Sequence, residues 1–129
     1  MEELVRWLHV QLDEDERVAK EAGRRSLEWS LARPLDDAEL GDAHWLRPPE
    51  LKHVERHDPA RVLREIDAKR QVLRDLEQAE LSLAAAAPGT PPHDLMTGAV
   101  NMLRRVARLG AVVYEDRPGF RPEWVADLR

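Results

Sequence analysis

The stretch from Asp58 to about Ala87 limits what this chain can fold into. Asp58-Pro59 has the chemistry of a helix start. The carboxylate accepts hydrogen bonds from the first free backbone N–H groups, and a proline at the first helical position gives up no hydrogen bond. Nearly every residue that follows is a good helix former, and Pro88-Gly89 ends the run. Val62, Ile66, Leu73, Leu76 and Leu83 recur at helical spacing on one stripe, flanked by Leu63 and Val72. Such a helix reaches roughly 45 Å at 1.5 Å per residue, the length of a domain, so the other elements must pack along it. Lys69 and Glu80 fall within the stripe. Each can lie on its aliphatic stem with its charge in water, or pair with a charge on a neighbouring helix and fix register.

Two further helices flank this one. Glu2 to Ala22 places Leu4, Leu8, Leu12, Val18, Ala19 and Ala22 on one face, with Gly23 as the stop and Lys20 in the last turn. From Asp94 to about Asp116, Met96, Val100, Leu103, Ala107, Ala111 and Tyr114 form a stripe flanked by Ala99 and Val106. Gly98 and Gly110 in this helix allow close approach of a neighbour. In the tail, Phe120 and Trp124 are placed to fold back on the bundle. The segment between Arg24 and Leu51 is harder to read. Ser26 to Leu31 alternates polar and apolar, a weak strand signal broken at Arg33-Pro34, and Ala43-His44-Trp45-Leu46 gives a second short candidate. A small β-hairpin or an irregular loop fits, anchored on the core by Trp29 and Trp45. Pro49 to Arg56 reads as a short helical turn. The expectation is one mainly α domain over residues 1–129, a three-helix bundle-like fold around one long central helix.

A chain of 129 residues buries a core without staples, and with no cysteine it has neither disulfides nor thiolate metal ligands. The net charge of −5 is a poor footing for nucleic-acid binding. No apolar run reaches membrane-spanning length, and the first twenty residues are too acidic for a signal peptide, so a cytoplasmic protein with no membrane partner is expected. Only Lys20, Lys52 and Lys69 are lysines, and the excess of arginine and alanine suggests a GC-rich genome.

Two constellations carry chemistry. His53-x3-His57-Asp58, if helical, sets two imidazoles on one face at a chelating spacing, and Asp58 or a residue from another helix could complete a metal site. The plain alternative makes Asp58 a helix cap and the histidines polar groups at a junction. Arg104, Arg105 and Arg108 lie opposite the apolar stripe of the third helix and could contact phosphates; a solvated outer face is the competing reading, since no aromatics interleave them. The acidic runs Glu14-Asp15-Glu16 and Asp36-Asp37-Ala38-Glu39 read as solvated surface. The chain holds no glycine-rich phosphate loop, Gly-x-Ser-x-Gly elbow or His-Glu-x-x-His helix, and no cofactor is expected.

The stretch His53-Val54-Glu55-Arg56-His57-Asp58-Pro59-Ala60-Arg61-Val62-Leu63-Arg64-Glu65-Ile66-Asp67-Ala68-Lys69-Arg70 resembles the signature of small uncharacterised proteins from actinobacteria and their phages. The tail Tyr114-Glu115-Asp116-Arg117-Pro118-Gly119-Phe120-Arg121-Pro122-Glu123-Trp124 is similar to the ending of the same proteins, and the first helix also fits. The likeness is absent between about Arg24 and Leu51. It implies no activity and no catalytic residues. Many members carry cysteines between the second and third helices and a histidine where this chain has Arg117; if those residues bind metal, the resemblance implies that this chain has lost that site. The expected function is a non-enzymatic interaction or regulatory protein, of mobile-element or phage origin, with a protein partner or a second copy of itself. The alternatives are a metal-dependent enzyme or metal-binding protein built on His53, His57 and Asp58, and a nucleic-acid-associated regulator using Arg104, Arg105 and Arg108.

Overall fold

A computed structural model describes residues 1–31 and 34–128. Among them the fold is mainly helical and contains no strand. The α-helices are α1 (Glu2–Ala22), α2 (Asp37–Leu40), α3 (Pro48–Arg56), α4 (Pro59–Ala85) and α5 (Pro91–Val112), with 3-10 turns at Gly41–Ala43 and Pro122–Trp124. By their contacts the residues form two compact units, one of Met1–Asp13 with Asp67–Arg129 and one of Glu14–Ile66.

The first unit is a three-helix bundle closed by the C-terminal tail. Leu4, Leu8 and Leu12 of α1, Leu73, Leu76 and Ala79 of α4, and Val100, Ala107 and Ala111 of α5 are buried. They are the residues that helical periodicity places on one face of each helix. Gln11 is buried among them, and its side-chain oxygen accepts a hydrogen bond from Arg117 Nη1 at 3.3 Å. Arg70 of α4 donates to Asp13 of α1 at 2.8 Å. The tail returns to α1 through an aromatic cluster: the Trp7 ring lies 6.2, 6.0 and 5.3 Å from the rings of Tyr114, Phe120 and Trp124. Trp7 Nε1–H donates to the Pro118 carbonyl at 3.0 Å. Gly119 makes that approach attainable: its φ is +86°, and a Cβ there would sit 2.7 Å from Trp7 Nε1.

In the second unit the end of α1 meets the start of α4. A Cβ on Gly23 would lie 2.5 Å from Leu27 Cδ2 and 3.1 Å from Pro59 Cβ, so a side chain there would displace Leu27 and press on Pro59. The segment after Gly23 forms neither of the two candidate strands, which leaves the irregular alternative. The backbone N–H groups a hairpin would need are taken: Trp29 N–H donates to Asp58 Oδ2 at 3.2 Å and Leu31 N–H to Glu55 Oε2 at 3.2 Å. Ala60 N–H donates back to the Leu27 carbonyl at 2.9 Å. Farther on, Asp36 and Glu39 form a reciprocal capping box that turns the acidic run into α2. Trp29 is half-buried, its indole donating to the Ser26 carbonyl at 3.0 Å, whereas Trp45 is 63% exposed, unlike the core anchor expected at that position. The break expected at Arg33 lies outside the described residues. Of the helix limits, α1 runs over the expected residues. α5 begins three residues before Asp94, because Thr90 is extended and Pro91-Pro92 occupy the first turn, where proline starts a helix.

Candidate functional site

His53, His57 and Asp58 lie at the junction of α3 and α4, all within the second unit. The backbone of His57 leaves the helix (φ −116°, ψ 36°), and the two imidazole rings lie 4.4 Å apart, tilted by 38°. His57 Nδ1 is 2.8 Å from the His53 carbonyl oxygen. A carbonyl only accepts, so Nδ1 carries a proton. Asp58 is committed elsewhere. Its Oδ1 accepts from Arg61 N–H at 2.9 Å and its Oδ2 from Trp29 N–H. The Arg61 backbone bond above all, then the Trp29 bond and the charges of Arg64 and Arg61, hold this carboxyl below the usual aspartate range. The junction thus brings two imidazoles together and spends the acid on capping α4 and pinning the Trp29 segment. Among the described residues no group of three or more His, Asp or Glu side chains is arranged to hold a metal ion.

Arg104, Arg105 and Arg108 sit on α5 but do not act as one free cationic face. Arg104 turns toward α4, where its buried Nε, without a hydrogen-bond partner, lies 3.8 Å from Glu80 Oε1. Glu80 therefore makes an interhelical ion pair, while Lys69, the other charge in the α4 stripe, rests its ammonium 5.6 Å from the centre of the Tyr114 ring. Arg108 reaches into the tail: Nε donates to the Trp124 carbonyl at 2.6 Å and Nη2 to Asp127. The Arg108 hydrogen bond first, with the charges of Arg108 and Arg105, lowers the Asp127 carboxyl below its usual range. Arg105 is exposed.

The most distinctive surface of the first unit is a second apolar stripe on α5. Leu95, Ala99, Met102, Val106, Leu109 and Val113 follow one another in steps of four, three, four, three and four residues. They face away from the core: Leu95 is 69% exposed, Met102 61%, Val113 64%, Leu109 44% and Val106 39%. Beside Val106 an apolar groove of about 100 Å³ opens between α5 and α4, its walls formed by Leu12, Val72, Leu73, Val106, Gly110 and Tyr114. Gly110 keeps it open. Nothing lies within 4 Å of a Cβ built on Gly110 or on Gly98, so neither glycine serves the close helix approach expected of it. Each residue of the outer stripe lies one position before a residue of the core stripe of Met96, Val100, Leu103, Ala107, Ala111 and Tyr114, except Leu109, which lies two before Ala111. The core pattern, read first, hides it; the signal that exposes it is the 3.5-residue repeat of paired helices, carried by the four-and-three steps.

The second unit has its own concavity, an open recess of about 710 Å³ with Leu31, Leu40, His44, Leu46, Leu51 and Lys52 on its walls. No helix among the described residues is long and apolar enough to cross a membrane. No curated protein and no solved structure matches the chain. A family model does: residues 1–126 match the Family of unknown function (DUF6221), and the chain belongs to that family.

Proposed function

We propose that the protein is a non-enzymatic interaction module that docks a helical partner along the outer stripe of α5. The observation that carries this reading is the row of five large apolar side chains left 39–69% exposed on one face of one helix. Single exposed apolar residues are ordinary, whereas a contiguous apolar stripe on a folded protein marks a contact surface. The repeating steps suit helix-in-groove recognition, in which anchors at helical spacing enter a complementary apolar channel. A regulatory role in the cytoplasm and a mobile-element origin belong to the same proposal. The resemblance of the central helix to small actinobacterial and phage proteins supports the origin.

Affinity capture from a lysate with nuclease present, using wild type and Met102→Glu/Leu109→Glu as baits, tests the reading. Wild type should retain a stoichiometric protein, either another chain or an untagged copy of this one, and the variant should lose it. An identical set of captured proteins on both baits, or none on either, overturns the proposal.

A further inference from the structure

We infer that the outer stripe of α5 pairs with the same stripe of a second copy of this chain, the two helices running antiparallel. This rests on the interaction reading and names its partner. The stripe reads the same from either end: under a two-fold axis Leu95 faces Val113, Ala99 faces Leu109 and Met102 faces Val106 of the other copy. A C2 contact needs such a self-complementary surface, and the four-and-three steps are those of a two-helix seam. No charged residue interrupts these positions from Leu95 to Val113.

The helix dipoles select the antiparallel sense. A parallel pair would set the two positive N-terminal ends of α5 side by side and the two negative C-terminal ends side by side, whereas the antiparallel pair brings the negative end of each α5 to the positive end of the other. The groove supplies the second half of the contact. Its volume of about 100 Å³ suits one flexible aliphatic side chain, and Met102 of the second copy arrives opposite Val106 at its edge. An unbranched thioether fills an irregular hollow of this kind well. A seam about 27 Å long on a helix about 10 Å wide, with the groove wall added, covers on the order of 500 Å² per copy, the lower limit for a specific interface, so association in the micromolar range is expected.

Sedimentation velocity on the purified full chain from about 1 µM to about 300 µM is the test. Wild type should pass from monomer to dimer over this range. Met102→Glu/Leu109→Glu should remain monomeric throughout, with the circular dichroism of wild type. Gly110→Leu, which fills the groove without meeting any atom of its own chain at Cβ, should weaken the dimer about tenfold or more and guards against misfolding of the double variant. Because the chain has no cysteine, orientation is read from single substitutions. Leu95→Cys and Val113→Cys should cross-link when mixed and not alone. A wild type monomeric at about 300 µM, a dimer indifferent to the α5 substitutions, or cross-linking of each cysteine variant with itself overturns the inference. If wild type is monomeric yet lysate capture still loses a partner in the double variant, the interaction reading stands and only self-pairing falls.

Discussion

Gly119 couples a backbone requirement to a packing one. Its φ of +86° excludes other residues without strain, and any Cβ meets Trp7. Gly119→Ala should cost about 1–3 kcal/mol in urea unfolding and perturb near-ultraviolet dichroism through Trp7 and Trp124. In a Trp7→Ala background the cost should shrink to the backbone part, because the clash is gone. Asp58 shows its role through pH. Its folded carboxyl lies below the ordinary value, so the stability it contributes is complete above the usual aspartate range and is lost as pH falls through the lowered value. The stability difference between wild type and Asp58→Ala should therefore be constant from about pH 7 to 5 and close below about pH 4. A difference that grows on acidification would remove Asp58 from this role. The sequence made Asp58 readable as a cap, since Asp-Pro before a helix is a local signal; its second bond, to Trp29 N–H, joins residues far apart in the chain and has no local signal.

The helices divide into parts held by packing and parts held by charge. Leu76 of α4 is completely buried, and Leu76→Ala should cost about 2–5 kcal/mol by leaving a cavity between the three helices. Glu80→Gln removes the interhelical pair with Arg104, whose groups are 39% and 43% exposed and 3.8 Å apart. Its cost should stay below about 1 kcal/mol and fall further in high salt. Comparison of the two by urea unfolding at low and high salt decides whether α4 and α5 are held by apolar contact or by charge. The helix limits were legible where caps and stops are local, as at Glu2 and Gly23. Between Arg24 and Leu51 the sequence left a hairpin and an irregular loop open; alternation records only a pattern, while a strand also needs free N–H groups, and those of Trp29 and Leu31 are bound to carboxylates on α3 and before α4.

The molecule distributes its core unevenly. Among the described residues from Arg24 to Glu50 none is buried, whereas the first unit packs side chains from three helices and the tail. Local opening is cheapest where few apolar contacts are lost. Limited trypsin digestion should thus cut first at Arg24, Arg25 or Arg47, mapped by mass spectrometry, and leave α4 and α5 intact. An early cut at Arg104 or Arg105 would contradict this order. The nearness of His53 and His57 was legible from their spacing of four residues, and their ring centroids lie 4.4 Å apart. The partners of Asp58 were not legible, because they depend on the path of the chain around the α3–α4 junction.

By itself the sequence determined that there are three long helices, the limits of α1, and which residues share a face, because caps, propensity and the 3.6-residue period act between near neighbours; α5 runs Pro91–Val112 rather than from Asp94 to about Asp116. It also carried both apolar stripes of α5. Only the tertiary structure decided which stripe is core and which is surface. Two stripes one residue apart have the same period, and the choice between them is made by burial against Leu8, Leu12 and Leu73, residues distant in sequence.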